Sequence, residues 1–502
     1  MDAKQARVWS PATGALVGEA PLLAAEDAGA VLERARVAQR AWARESVEAR
    51  CRVLGFVRDA LAAASDELAA LVSAETGKPR FEALVFECLA AADLASFAVR
   101  EAPRVLAPQE VLTRLQRHRR SYVHRAPRGV VLYVAPWSFP LLLPLAAASS
   151  ALAAGNAVVV KSSVRTPLSF RRFAEIARGA GLPEGLLQAV TGPKSVGHAL
   201  REAGPDMVLF AGSPLTARRV MADCATRGVP CSVELGGKTA AIVCADADLE
   251  RTARSLVWGG TMNAGQASVC IERVFVHKSL EGALVERVAE LASALRVGAD
   301  EGRDDVDVGA ITTDKQIAHV ERSVASALSS GATLVTGGER LAGPGRFYRP
   351  TVLRGVRDTM TVARQVTFGP VIPFLSFDDE RVAVARANAD GPSLAGYVYT
   401  RDRERGRALA EELRAGVVMV NGAITAYAVS EVSFPGPWGH PVHGEAGLAL
   451  MAEARHVNYG RLRVGRNPLA FPYGERSRRA VGKAIRVLYQ REHPVKRFLD
   501  LF

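Results

Sequence analysis

The sequence predicts an α/β protein built from two doubly wound parallel sheets with helices on both faces. From Val130 onward, short apolar strands alternate with helical patterns in two consecutive series. Alternation at this spacing is typical of right-handed βαβ units, and strands as apolar as residues 157–160 and 207–210 are typical of sheets covered on both sides. A chain of 502 residues is long enough for two or three domains.

The periodicity of apolar residues predicts the order of the elements. Helices are expected first, over residues 24–45, 47–76 and 80–99, and a basic alternating segment at 117–123 predicts a strand outside the two sheets. The first sheet is predicted from strands at 130–134, 156–161, 186–190, 207–211 and 231–235, with helices at 141–153, 167–179, 194–203 and 215–226. The second is predicted from strands near 240–244, 273–277, 333–336, 371–376, 395–399 and 417–420, with helices near 249–262, 280–295, 314–329, 380–388 and 403–414.

Composition excludes several classes of protein. Apolar residues make up 49% and charged residues 23% of the chain, which favours a globular over a disordered protein. The six cysteines include no Cys-x-x-Cys pair, so we expect neither a disulfide framework nor a metal site, and a cytoplasmic location. The N-terminus shows no signal peptide. The uncharged stretch from Gly129 to Val160 is broken by prolines and is expected to be a buried core segment.

The positive charge is concentrated at the C-terminus. The net charge is +12, and residues 461–502 hold 11 Lys and Arg against 3 Asp and Glu, which is +8. The rest of the chain is close to neutral, so we expect no nucleic-acid partner. A basic amphipathic helix is predicted over 475–489. It could lie on an acidic membrane surface, but packing against a neighbouring subunit is favoured.

Eight short motifs follow one another along the chain. They are Glu75-Thr-Gly-Lys78, Pro136-Trp-Ser-Phe-Pro140, Ala153-Ala-Gly-Asn-Ala-Val-Val-Val-Lys161, Phe210-Ala-Gly-Ser213, Glu234-Leu-Gly-Gly237, Asn263-Ala-Gly-Gln266, Pro350-Thr-Val352 and Phe368-Gly-Pro370. In this order they resemble the aldehyde dehydrogenase superfamily over nearly the whole chain.

The resemblance implies a division into lobes and an oligomer. It implies a Rossmann-like dinucleotide-binding domain of residues 1–116 and 138–250, a catalytic domain of 251–437 and a small oligomerisation element of strand and tail from 117–137 and 438–457. A basic extension, 458–502, follows. The resemblance also implies a homodimer or homotetramer.

The family's chemistry assigns roles to three residues. In that family a cysteine thiolate attacks the aldehyde, amide donors stabilise the oxyanion, a hydride passes to NAD or NADP, and a glutamate activates water. Glu234 matches the glutamate. Ser268 matches the cysteine when the flanking motifs are kept in register. A shift of two residues would place Cys270 there instead; otherwise Cys270 is expected to be a small buried apolar residue.

Other matched positions are altered as well. Ser138 stands where the family's oxyanion-hole asparagine is expected, and Val366 stands where a glutamate would hold the nicotinamide ribose. Lys161 matches the ribose-binding lysine. Val164 replaces a ribose-binding glutamate and is followed by Arg165, a change that favours NADP over NAD or indicates a site no longer in use.

The remaining cofactor contacts are closer to the family pattern. Gly212 and Ser213 match the turn that holds the pyrophosphate, and Phe368 belongs to an intact Phe-Gly-Pro motif. The family's Gly-Gly-x-x-x-Ser-Gly loop, which begins here at Pro437, is shortened before His443. The altered residues are those that contact substrate or nicotinamide, whereas the motifs that fold the chain match.

Two hypotheses follow from this pattern. The first is a homologue, or pseudoenzyme, whose aldehyde oxidation is impaired or lost and which binds a nucleotide or serves as an assembly subunit. The second is an active NADP-preferring dehydrogenase that uses Cys270, or Ser268 with Glu234, on an aldehyde.

Overall fold

The computed structural model describes residues 5–113, 119–425, 429–433, 441–460 and 471–489. The chain divides into two compact units. The first comprises residues 1–107 and 125–454, and the second comprises 108–124 and 455–502. The shortened loop predicted between Pro437 and His443 lies mostly outside the described residues.

The N-terminal region contains more than the predicted helices. It forms a β-hairpin, β1 (Gln5–Trp9) and β2 (Leu16–Pro21), then α1 (Ala28–Trp42), α2 (Val47–Ala63), α3 (Ser65–Thr76), α4 (Arg80–Ala83), a π-helical turn (Leu84–Leu89) and α5 (Ala90–Val105), and ends in β3 (Gln109–Val111) and β4 (Arg119–Pro127). The helix predicted over 47–76 is two helices, and the helix predicted from residue 80 is interrupted by the π turn. A π turn inserts one extra residue into a helix and is frequent at functional sites.

A five-stranded parallel sheet is formed by residues between 130 and 235. Its strands are β5 (Val130–Val134), β6 (Ala157–Ser162), β7 (Leu187–Thr191), β8 (Met207–Gly212) and β9 (Cys231–Leu235), and its helices are α6 (Leu142–Ala153), α7 (Leu168–Gly179), α8 (Lys194–Glu202) and α9 (Pro214–Thr226). The strand order is β7-β6-β5-β8-β9, with every pairing parallel. The order reverses between β5 and β8, where α/β proteins of this type bind their ligands.

A seven-stranded sheet forms the second domain. Its elements are β10 (Ala240–Val243), α10 (Leu249–Thr261), β11 (Arg273–His277), α11 (Lys278–Ser293), α12 (Asp314–Ser329), β12 (Thr333–Thr336), β13 (Thr351–Arg354), α13 (Thr361–Arg364), β14 (Val371–Phe377), α14 (Glu380–Asn388), β15 (Ser393–Tyr399), α15 (Arg403–Glu412) and β16 (Ala415–Val420). The order is β12-β13-β14-β11-β10-β15-β16, parallel except for β12 against β13. For both sheets, the first and last residues of each predicted strand and helix agree within two residues with those of an observed element.

The remaining elements are α16 (Gly444–Leu450), β17 (Ala452–Gly460) and α17 (Glu475–Tyr489). Strand β17 joins a small sheet in the order β17-β4-β3. Within it, the Tyr122 and Tyr459 rings stack with centroids 5.9 Å apart. The strand expected near 117–123 is therefore present as β4.

The sheets place two domain boundaries differently from the sequence. Strand β5 is the middle strand of the five-stranded sheet, so the predicted oligomerisation segment 117–137 extends too far. Strand β10 pairs with β11 and β15 in the seven-stranded sheet. The first domain therefore ends before residue 240 and not at residue 250, because residues 236–239 link the two sheets.

All six cysteines are free thiols. Within the described ranges, no helix is long and apolar enough to cross a membrane, and no three His, Cys, Asp or Glu side chains are grouped as metal ligands.

Candidate active site

A left-handed turn after α10 positions Ser268. Asn263, Ala264 and Gly265 have φ angles of 51°, 52° and 73°. A Cβ on Gly265 would lie 2.1 Å from the carbonyl oxygen of Gly369, so only glycine allows the turn to approach the Phe368-Gly-Pro370 loop this closely.

Buried polar groups hold this turn in place. The Asn263 N–H donates to both carboxyl oxygens of Glu82, at 3.2 and 2.9 Å. The Asn263 side-chain amide donates to the carbonyl oxygens of Ser138 and Gln266, and Gln266 accepts from the Thr312 N–H at 2.9 Å. The Asn-x-x-Gln pattern therefore fixes the path of the backbone that precedes Ser268.

Ser268 lines a cavity of about 960 Å³ in the first unit. It is half-buried. A Cβ on Gly236 would lie 3.3 Å from the Ser268 Cβ, so the backbone that follows Glu234 packs directly against the serine. No histidine of the described residues lines the cavity. Ser268 thus lies at the cavity wall without an imidazole to activate its hydroxyl.

Cys270 has a different environment. It is 1% exposed, does not line the cavity, and its thiol donates to the Met262 carbonyl oxygen at 3.5 Å. Burial raises the pKa of the Cys270 thiol far above its usual range, which suppresses the thiolate that nucleophilic attack needs. These properties match the structural alternative for Cys270 and give no support to its role as nucleophile.

Glu234 lies at the carboxyl end of β9. Its Oε2 is buried without a hydrogen-bond partner, and burial raises the pKa of this carboxyl to about 7. The Tyr133 hydroxyl is likewise buried and unpaired, and its pKa is raised by burial and by the charge of Glu234. A carboxyl that titrates near neutral pH with a free oxygen is suited to general-base work.

Ser138 lies beside a buried ion pair. Lys78 and Glu87 are both within the core, with Nζ and Oε1 2.6 Å apart. Lys78 also donates to the Ser138 carbonyl oxygen at 3.0 Å, and Glu87 accepts from the N–H groups of Leu141 and Leu142 at the start of α6. The pair thereby fixes the backbone of the segment that carries Ser138.

The cofactor residues predicted from the sequence lie around the first sheet. Lys161 is half-buried at the end of β6, with its pKa lowered to about 8 by burial. Val164 is half-buried, whereas Arg165 is exposed. Gly212 ends β8, and Ser213 precedes Pro214, the first residue of α9, whose N-terminus is suited to an anion.

The Phe368 loop is held rigidly. Glu272 is 5% exposed, pairs with Lys238 at 2.6 Å, and accepts from the N–H groups of Thr367 and Phe368 at 2.9 Å. The Phe368 ring meets Trp137 edge to face with centroids 5.7 Å apart. The Phe368 loop therefore lies against the segment that follows β5. Val366, which is 37% exposed, offers no carboxylate to a ribose.

Comparison with known proteins agrees with this arrangement. The model of the family described as "Aldehyde dehydrogenase family" matches residues 1–451 of this chain. The chain belongs to the aldehyde dehydrogenase family. The 3,6-anhydro-alpha-L-galactose dehydrogenase of Streptomyces coelicolor is 37% identical over 422 residues, or 83% of this chain and 85% of that relative.

Solved structures support the same assignment. An NAD-dependent aldehyde dehydrogenase from Sinorhizobium meliloti has a TM-score of 0.88 at 32% identity, covering 93% of this chain and 92% of that one. An NADP-dependent enzyme from E. coli has a TM-score of 0.86 at 31% identity, covering 91% and 95%. Family membership confirms the predicted fold and the predicted cofactor class, NAD or NADP.

Several residues around the candidate site were not predicted from the sequence. Glu82, Tyr133 and Tyr397 lie far from Ser268 in the sequence. The Tyr397 hydroxyl donates to the Val269 carbonyl oxygen at 2.6 Å and accepts from the Ile424 N–H at 3.3 Å. Of these three, only Tyr133 had a local signal in the sequence, a hydroxyl within an otherwise apolar strand.

Proposed function

We propose that this aldehyde dehydrogenase homologue binds a nicotinamide dinucleotide and an aldehyde but oxidises the aldehyde only weakly. The observation that carries the proposal is that the cavity meets a hydroxyl, Ser268, while the nearest thiol in sequence, Cys270, is buried. A cysteine is partly thiolate at neutral pH, whereas a serine needs a bonded base.

The base is not engaged with the serine in this structure. Glu234 Oε2 makes no hydrogen bond. Ser138 is expected to lower the rate of oxidation further, because a serine hydroxyl extends less far than an asparagine amide. Removing one oxyanion donor typically lowers the rate by about 10²–10³.

The residues present fit a dinucleotide. The half-buried Lys161 ammonium makes no hydrogen bond or ion pair with the described residues, and the α9 N-terminus offers N–H groups to a pyrophosphate. When bound, NAD or NADP would supply the hydride acceptor. Lys161, Val164 and Arg165 would hold the adenosine ribose, and Phe368 would contact the nicotinamide end. Assembly as a homodimer or homotetramer is part of the proposal.

A second candidate is an active dehydrogenase in which Glu234 deprotonates Ser268. The observation in its favour is that burial raises the pKa of Glu234 to about 7, which is suitable for a base at neutral pH.

One experiment separates the two candidates. The purified protein is titrated with NAD and NADP by calorimetry, and a panel of aldehydes is then assayed by absorbance of the reduced nicotinamide. The proposal expects cofactor binding with little or no reduced product. Rapid product formation by the native chain, abolished in Glu234→Gln, would support the second candidate and overturn the first.

A further inference from the structure

We infer that the cavity at Ser268 takes a neutral aldehyde with a long apolar chain, such as an unbranched alkyl group. This inference rests on the proposed function, because it names the substrate class of the same site. A volume of about 960 Å³ is at the upper end for small-molecule pockets, and is far larger than a short aldehyde needs.

The cavity walls are apolar from the base to the opening. Aliphatic and aromatic side chains come from the π turn, α6, α10 and α11. They include Val85, Phe86, Leu142, Leu143, Val257 and Leu291. Such walls favour a ligand by removing its methylene groups from water, worth about 0.8 kcal/mol for each, or about fourfold in affinity.

Three of the four charged groups among the described lining residues have partners within the protein. Glu82 accepts from the Asn263 N–H through both oxygens. The Arg254 guanidinium pairs with Glu250 at 2.6 Å, and Asp307 pairs with Arg296 at 2.8 Å. The fourth, Asp93, is exposed. The single cation among the described lining residues, Arg254, is 64% exposed, so a substrate carboxylate in the apolar interior of the cavity would lose its hydration without a buried cation to compensate.

The opening is also apolar. Phe81 and Leu89 line the cavity yet remain 64% and 63% exposed, and Trp258, 38% exposed, packs against Phe86 with centroids 6.1 Å apart. Large apolar side chains in contact with both solvent and a cavity typically mark the entrance for an apolar ligand.

The test measures binding rather than turnover, with unreactive primary amides in place of aldehydes. Octanamide, butanamide and succinamate are titrated into the full-length protein by calorimetry. We expect octanamide to bind most tightly, with affinity falling about fourfold for each methylene removed, and succinamate not to bind measurably. Succinamate binding as tightly as octanamide, or equal affinities for octanamide and butanamide, would overturn the inference.

Two phenylalanines provide a matched pair of variants. Phe81 lines the cavity at 64% exposure, whereas Phe56, on α2, is 62% exposed and does not line it. Because both are largely exposed, neither replacement should impair folding. Phe81→Ala should weaken octanamide binding about fivefold, and Phe56→Ala should leave it unchanged. Equal effects of the two variants would show non-specific surface binding and contradict the inference.

Failure of this test can be distinguished from failure of the proposed function. If the native chain proves to oxidise aldehydes rapidly, the proposal of impaired oxidation fails, while the ranking of the amides still decides the substrate class. If the amides rank contrary to expectation while oxidation is absent, only the substrate class is wrong.

Discussion

Ser268 and Cys270 are two residues apart but lie in different environments. Ser268 is half-buried at the cavity, and Cys270 is 1% exposed with its thiol bonded to the Met262 carbonyl oxygen. The turn formed by Asn263–Gly265 and the bond from Tyr397 to Val269 set this register. The thiol cannot therefore take the place of the hydroxyl without breaking the packing around the turn.

The first residue-scale prediction concerns Glu234. Burial raises the pKa of Glu234 to about 7, so its basic, ionised form is depleted below that pH. In a Ser268→Cys variant, we expect kcat for aldehyde oxidation to rise as pH increases through about 7. Steady-state rates from pH 5 to 9 measure this. The double variant Ser268→Cys, Glu234→Gln should lack this rise in kcat. The same rise in the double variant would exclude Glu234 as the base.

A second prediction concerns Val164. A carboxylate here would accept from ribose hydroxyls and repel a 2′-phosphate. We expect Val164→Glu to shift the ratio of the NAD and NADP dissociation constants toward NAD by about tenfold or more, the value of a hydrogen bond to a charged group. Calorimetric titrations of both cofactors measure the ratio, with neutral Val164→Gln as the control. An unshifted ratio would place the ribose elsewhere.

At the scale of elements, buried carboxylates join segments that are distant in sequence. Glu75 accepts from the N–H groups of Leu168 and Ser169 at the start of α7. Glu87 accepts from an N–H group at the start of α6, and Glu82 accepts from the turn before Ser268. N–H groups at the first turn of a helix have no partner within it, so these glutamates act as caps supplied from another element.

The stability prediction concerns Glu82. Burial raises its pKa to about 7 from the model-peptide value of 4.5. Between these values the folded protein keeps a proton that the unfolded chain releases, so this group's contribution to stability is full below about pH 4 and is lost as pH rises through about 7.

Glu82→Gln keeps one acceptor for the Asn263 N–H and removes the titration. Between pH 5 and 8, we expect its free energy of unfolding to rise relative to the native chain by about 3 kcal/mol at most. Urea unfolding at both pH values measures this. Glu411→Gln, on the exposed face of α15, controls for loss of a carboxylate. If the free energies of unfolding of the native chain and Glu82→Gln differed by the same amount at both pH values, the raised pKa of Glu82 would be contradicted.

The elements were predictable to the extent that their apolar pattern was local. Strands such as β5 and β8 are apolar throughout, so their sequence alone indicated both strand and burial. The hairpin β1–β2 was missed because its strands are mostly exposed and partly charged. The π turn at Leu84–Leu89 has ordinary helical composition, so nothing local marked the extra residue.

At the scale of the whole molecule, the sequence named candidate site residues but could not describe their surroundings. Motif register alone placed Ser268, Glu234 and Lys161. The cavity walls come from four elements separated by up to two hundred residues, and partners such as Tyr397 and Glu82 are defined only by tertiary contacts. The substrate class therefore required the folded structure.

The last structural prediction concerns the second unit. Helix α17 carries five cations, while Val481 and Ile485 on its apolar side are 40% and 55% exposed in the described structure. We expect this face to pack on another subunit. A chain that ends at Gly460 should then form smaller oligomers by light scattering, with no change in its sedimentation with phosphatidylserine vesicles. Vesicle binding by the native chain that is lost on truncation would instead assign the helix to membranes.

The central claim, that a hydroxyl at position 268 limits oxidation, is tested most directly by Ser268→Cys. Reduced-nicotinamide formation from octanal is compared among native, Ser268→Cys and Cys270→Ala proteins. We expect Ser268→Cys to raise the rate by at least about 10²-fold, given how strongly removal of a nucleophile lowers rates in other enzymes, and Cys270→Ala to match the native chain. A fast native enzyme inactivated by Cys270→Ala, with no gain from Ser268→Cys, would contradict the account.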